Sequence, residues 1–308
     1  MKKDIRGQVA VLFAAALVVF VLILAFVVDY GRMTYYHAKV QNATDLAVLA
    51  GAQFLPEDKN LSPPLARTLR ANNMAYSVAS ANLNDPRYVC HTNYSGKTMR
   101  LYCGGTVPIL FPMIFGTGRV VDASATAEWG AVSQAEKMVP ISIDYTAVPN
   151  SKMDDKTYRL KIDLKSPSSG KLFLIHPNAD GGMGPDEAVN WIEHDYTGVT
   201  PKVGEIRSTA PEIDLDSVMT ALENRIQQGS GKAKIITPVV QYSMDSTGIG
   251  TAVIRGYTQL EVTGISRKTT GGSNQIELEG VFKRLIVYDW PTTAAGEYYG
   301  ISSIYLVK

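Results

Sequence analysis

The sequence predicts an α+β protein: a long N-terminal transmembrane helix extended into an amphipathic stalk, followed by a β-rich exported region with a few helices. Three observations carry this prediction. Val9 to Val28 is an unbroken apolar run with no charged or strongly polar side chain, proline or glycine. Beyond it, selected residues recur at spacings of three and four as far as Phe54. The remainder is rich in short β-prone segments bounded by turn clusters, with few helical stretches between them.

The apolar run comes first. At about 1.5 Å per residue it spans roughly 30 Å, the thickness of a bilayer hydrocarbon core. Backbone groups in lipid must pair within their own segment, so the run is expected to be helical. A secretory signal has a shorter core and a small-residue cleavage site; here the run ends in Phe26-Val27-Val28-Asp29. The expectation is therefore a retained single-pass anchor in contact with the lipid bilayer. Lys2, Lys3 and Arg6 precede the span, whereas Arg32 and Lys39 follow it with Asp29 beside them. This bias favours a cytoplasmic N-terminus at the inner membrane and an exported body.

The helix is expected to continue beyond the bilayer. Met33, Tyr36, Val40, Ala43, Ala47, Ala50 and Phe54 form a heptad seam, with Lys39, Gln41, Asn42 and Asp45 as polar positions between them. A seam centred on alanine lets a second helix approach closely. Pro56 ends the pattern, because the residue before proline is disfavoured in a helix. Gly31 is its weak point, at about 1 kcal/mol relative to alanine. Two occupants of the seam are open: the chain's own domain, or a helix of a partner in a homo- or hetero-oligomer.

The remaining chain is expected to divide at residues 56–135, a small α+β region with a cysteine hairpin, and 136–308, a β-rich exported domain. Leu65–Leu83 reads as a helix with Leu65, Leu69, Asn72, Tyr76 and Ala79 on one face, broken by Asn84-Asp85-Pro86. Val121 to Trp129 alternates apolar with polar residues, as a half-buried strand does. Later strands are expected at Val139–Tyr145, Tyr158–Leu164, Lys171–Ile175, Lys234–Tyr242, Thr251–Thr263, Gln275–Tyr288 and Tyr298–Val307. Helices are expected at Pro185–Asp195 and Asp214–Gln228. No internal repeat of fixed period is visible.

The bulk numbers exclude little but are useful. With 30 basic and 29 acidic residues the net charge is +1, which offers no field for nucleic acid. Cys90 and Cys103 lie on the expected exported side and flank the turn Asn93-Tyr94-Ser95-Gly96-Lys97. An oxidising compartment favours a disulfide between them, worth about 3 kcal/mol on the chain-entropy estimate. Zinc would need a fourth ligand beside Cys90, His91 and Cys103, and none is evident.

Several stretches now resemble a known family. Arg6-Gly7-Gln8, the apolar span, Val28-Asp29-Tyr30-Gly31-Arg32 and Gln41 to Ala52 resemble the N-terminal region of TadE/TadG-like proteins of Tad (Flp) pilus assembly. Phe111 to Gly116 with Val121 to Ala127 resembles the stretch that follows in those proteins. Gly204, Thr209-Ala210-Pro211, Arg225-Ile226, Thr237 to Val240, Val253 to Tyr257 and Gly280-Val281-Phe282 are similar to a branch with a β-rich exported domain. The resemblance implies a single-pass membrane component of a pilus or secretion machine whose partners are pilin or pseudopilin-like helices. Relatives that are processed are cut after a glycine before the run and carry glutamate five residues beyond it. Here Gly7 is present but that place is Leu12, so the helix is expected to keep its short basic N-terminus. TadG proper carries a von Willebrand A domain whose metal site begins D-x-S-x-S. Asp122-Ala123-Ser124-Ala125-Thr126 imitates it without the alternating β/α chain that should follow, so an alternating edge of the sheet explains it better.

Catalytic signals are weak. His176 to Glu187 approaches a calcium loop, but His176 replaces the first aspartate and no helix precedes it, so a glycine-rich turn is the better reading. Glu193-His194-Asp195 stands at a helix end, where such residues are usually solvated. His37 and His91 have no nucleophile nearby in sequence, and no hydrolase, zincin or nucleotide fingerprint appears. The expectation is a protein that is not an enzyme and uses no cofactor. Its alternative is a tethered cell-surface adhesin or wall-binding protein.

Overall fold

The computed structural model describes residues 5–55, 65–112, 116–149, 156–162, 171–178, 182–244, 250–270, 273–288, 290–293 and 298–307. The linker expected at 56–64 and Asp180 of the calcium-like loop lie outside them. The chain separates into two compact units: Met1–Gly51, Leu69–Ala127 and Leu306–Lys308 in the first, Ala52–Thr68 and Glu128–Tyr305 in the second. The expected boundaries at residues 55 and 135 therefore differ from those observed. The stalk shares buried surface with the segment that follows it, so it is not a separate piece.

The first unit is built on two helices. Helix α1 (Ile5–Ala52) joins the apolar run and the stalk without a break. Helix α2 (Leu65–Leu83) ends as the sequence predicts; Asn84 takes a left-handed φ of 47° just beyond it. Strands β1 (Val89–Ser95) and β2 (Thr98–Pro108) form an antiparallel hairpin around Gly96, whose φ of 56° suits glycine. Strand β3 (Gly118–Val132) pairs with β2. Along β3, Val121, Ala123, Ala125, Ala127 and Trp129 are buried while the residues between them are not, because side chains alternate across a strand.

The second unit holds a mixed sheet. Strands β4 (Ile141–Asp144), β5 (Thr157–Ile162), β6 (Leu172–Leu174), β7 (Ile206–Ser208), β8 (Ala233–Met244), β9 (Gly250–Thr270) and β10 (Ser273–Lys283) follow the order β10-β5-β6-β4-β8-β9-β7. Strand β10 also pairs with β9, so the pairings from β10 through β9 close on themselves. The β4–β8 and β5–β6 pairs are parallel. Strand β8 is buried on both faces: Ile235 and Val239 enter one core cluster, Ile236 and Val240 another. Two-sided burial explains its continuous apolar run. Pro238 is tolerated inside it beside a break in register at Val239/Val240.

Helix α3 (Pro185–His194) and helix α4 (Leu215–Gln228) add Ala188, Ile192, Val218, Ala221 and Leu222 to the first of these clusters. Asp214 caps α4 by accepting from the Ser217 amide at 3.0 Å. The single strand expected over Gln275–Tyr288 is two strands, β10 and β11 (Leu285–Tyr288), interrupted at Arg284. Strand β12 (Thr292–Thr293) pairs with the end of β3, and β13 (Ile301–Val307) runs parallel to β11.

Candidate functional site

The chemistry that sets this chain apart lies on α1. From Val9 to Val28 every side chain except Ala25 is exposed. Water-soluble proteins rarely leave so large an apolar surface bare, and the helix is long and apolar enough to cross a membrane. Asp29 terminates the run and is only 5 % exposed. Its carboxylate accepts from the backbone N–H of Leu110 at 2.9 Å and of Phe111 at 3.1 Å, so the charge is met by two donors. Phe26 stacks on Tyr30, and the Arg32 guanidinium lies 5.9 Å from the centre of the Tyr36 ring.

Further along, the seam meets a helix of its own chain. Lys39 Nζ donates to the Leu83 carbonyl at 2.9 Å, and a Cβ on Gly51 would stand 2.8 Å from the Ala71 carbonyl oxygen. These two points make α1 and α2 antiparallel neighbours. Between them Val40, Ala43 and Ala47 of α1 and Ala71, Ala75 and Ala79 of α2 are buried. Met33, Tyr36, Ala50 and Phe54 are half-buried. Of the two occupants open for the seam, the chain's own helix is the one seated there. Ala43 and Ala47 thus serve a helix–helix contact within the chain.

The face expected for α2 also needs correction. Its buried stripe is Ala71, Ala75, Ala79 and Leu83, whereas Leu69 is 59 % exposed. Small residues face α1 because the backbones approach closely there. The larger polar residues turn to the hairpin instead. Asn72 Oδ1 accepts from Thr92 Oγ1 at 2.7 Å and from the Tyr94 hydroxyl, and the Tyr76 hydroxyl lies 3.1 Å from Thr92 Oγ1. Burial pushes the Tyr94 hydroxyl up to about 12.

Cys90 and Cys103 sit opposite each other in the β1–β2 register and are joined by a disulfide. The D-x-S-x-T stretch lies on the open face of β3. There Asp122 accepts from the Tyr102 hydroxyl at 3.0 Å and Ser124 from Arg100 at 3.1 Å. Glu193 and Asp195 join helices rather than standing free in solvent: Asn224 donates to Glu193 at 2.7 Å, and Arg225 bonds Asp195 at 2.7 Å and the Ile192 carbonyl at 2.8 Å. His176 Nε2 pairs with Glu212 at 2.9 Å, and Glu187 accepts from the Gly184 amide at the start of α3. Among the described residues no group of three or more His, Cys, Asp or Glu gathers as a metal site would require.

What the sequence missed is the pairing of Asp29 with Leu110 and Phe111, some eighty positions away. The one signal for it was an apolar stretch held between Pro108 and Pro112. An exposed apolar helix joined to a folded body defines a candidate membrane-anchored protein. Residues 7–53 match the family model Tad, described as Flp pilus-assembly TadE/G-like, so that segment is similar to the N-terminal region of TadE/TadG-like proteins. No curated protein and no solved structure matches the chain.

Proposed function

We propose that the chain is a non-enzymatic, membrane-anchored component of a Tad (Flp)-type pilus assembly or secretion machine. The observation that carries this reading is the coincidence of the Tad match at residues 7–53 with the exposed apolar run of α1. In this reading Val9–Val28 spans the cytoplasmic membrane, Lys2, Lys3 and Arg6 remain on the cytoplasmic side, and the folded body stands outside.

Partners are pilin or pseudopilin-like helices. Since α2 closes the alanine seam, they meet the opposite side of α1, where Tyr35, Ala38, Asn42 and Leu46 are exposed at helical spacing above the apolar run. A photo-crosslinking residue at Leu46 in piliated cells should capture a pilus component, whereas one at Lys97 on the hairpin should not. Replacing Val9–Val28 with an unrelated transmembrane helix should reduce piliation. Full piliation after that exchange, with no product from Leu46, would sink the assembly role and leave α1 as the tether of an adhesin or wall-binding protein.

A further inference from the structure

We propose that the β2–β3 connection at Leu110 and Phe111 is a second membrane contact, inserted in the interfacial layer of the leaflet that α1 leaves at Asp29. This inference rests on the reading of Val9–Val28 as a bilayer span. Its occupant is the phospholipid of the same membrane.

Three observations converge on it. Asp29 ends a run of bilayer length, and its carboxylate fixes Leu110 and Phe111 at that depth through two hydrogen bonds. The side chains of Leu110 and Phe111 are nevertheless 54 % and 39 % exposed, so their apolar surface faces outward at the level where the lipid begins. The backbone there is already prepared for a medium poor in hydrogen bonds. Pro108 and Pro112 carry no N–H, and the amides of Leu110 and Phe111 donate to Asp29. Third, Arg119 lines a cleft of about 230 Å³ with Phe26, Asp29, Tyr30, Met33 and Ile109. A guanidinium and a tyrosine at the end of a span match the charge and polarity of lipid phosphates and headgroups.

The test uses the full chain in phosphatidylcholine–phosphatidylglycerol vesicles, with an environment-sensitive fluorophore on one new cysteine at a time: Val19→Cys, Leu110→Cys or Ser95→Cys. Ser95 is at the far end of the hairpin, roughly 30 Å along β2 from Pro108 at about 3.3 Å per residue. The Leu110 probe should emit to the blue of the Ser95 probe and be quenched by lipid spin-labelled near the headgroup. The Val19 probe should be quenched best by a label deep in the acyl chains. If the Val19 probe is quenched and the Leu110 probe behaves like that at Ser95, the loop contact is overturned while the span stands. An unquenched Val19 probe overturns both. Phe111→Cys repeats the measurement should Leu110→Cys fail to fold.

Discussion

Asp85 shows how much a single pair of side chains accounts for just past α2. Its carboxylate takes the Arg87 Nε at 2.9 and 3.0 Å, the terminal guanidinium nitrogen at 2.5 Å and the Arg87 amide at 3.0 Å. Led by the side-chain hydrogen bond from Arg87, these contacts lower its pKa from 3.8 to about 2. The folded value is depressed, so the stabilisation is complete above the unfolded value and is lost as pH falls through the window from about 4 to about 2. A carboxyl-carbon NMR titration of the native chain should place the Asp85 midpoint near the bottom of that window. In Arg87→Gln it should return toward the ordinary aspartate range, and a native midpoint already there would contradict the assignment. The two residues are neighbours in sequence, and a short carboxylate–arginine pair after a helix break could have been foreseen. The Asp29 contacts could not, since nothing local specifies which amides a carboxylate will meet across a fold.

Helices α1 and α2 show where periodicity succeeds and where it fails. The three-and-four spacing from Met33 to Phe54 identified a packed face, and the end of α2 was legible from Asn84-Asp85-Pro86 after it. The buried face of α2 was not legible, because leucine outranks alanine in any hydrophobic reading while close backbone approach favours alanine. Two glycines of α1 put this to the test. A Cβ at Gly31 meets nothing within 4 Å, so Gly31→Ala should stabilise by about 1 kcal/mol through helix propensity alone. At Gly51 a Cβ would stand 2.8 Å from a backbone oxygen of α2, which cannot rotate away as a side chain could. An overpacking cost of about 3 kcal/mol then exceeds the propensity gain, and Gly51→Ala should destabilise by about 2 kcal/mol. Thermal melts of the full chain in detergent should shift in opposite directions. Equal shifts for both variants would mean that α2 does not press on Gly51.

Across the molecule, the Cys90–Cys103 bridge closes the hairpin across a sequence separation of 13 residues. Replacing both cysteines with serine should cost about 3 kcal/mol of local stability, or roughly a hundredfold faster amide exchange in β1 and β2. Hydrogen–deuterium exchange against the β8–β9 amides as reference would detect this, and a change of less than about threefold would show that the disulfide is not what protects the hairpin. The sequence by itself determined the apolar span, the stalk that continues it, the alternating β3 and most of the strands after it. Each of these is one element reporting its own environment through composition or period, so no second element is needed to read it. Only the tertiary structure decided which helix fills the alanine seam, how β9 and β10 close the ring of pairings, and that Asp29 holds the Leu110–Phe111 turn. The three-residue β7 and two-residue β12 belong with these, being too short to show a period. All depend on groups far apart in the chain, and side-chain chemistry at one position does not encode the distant position that will satisfy it.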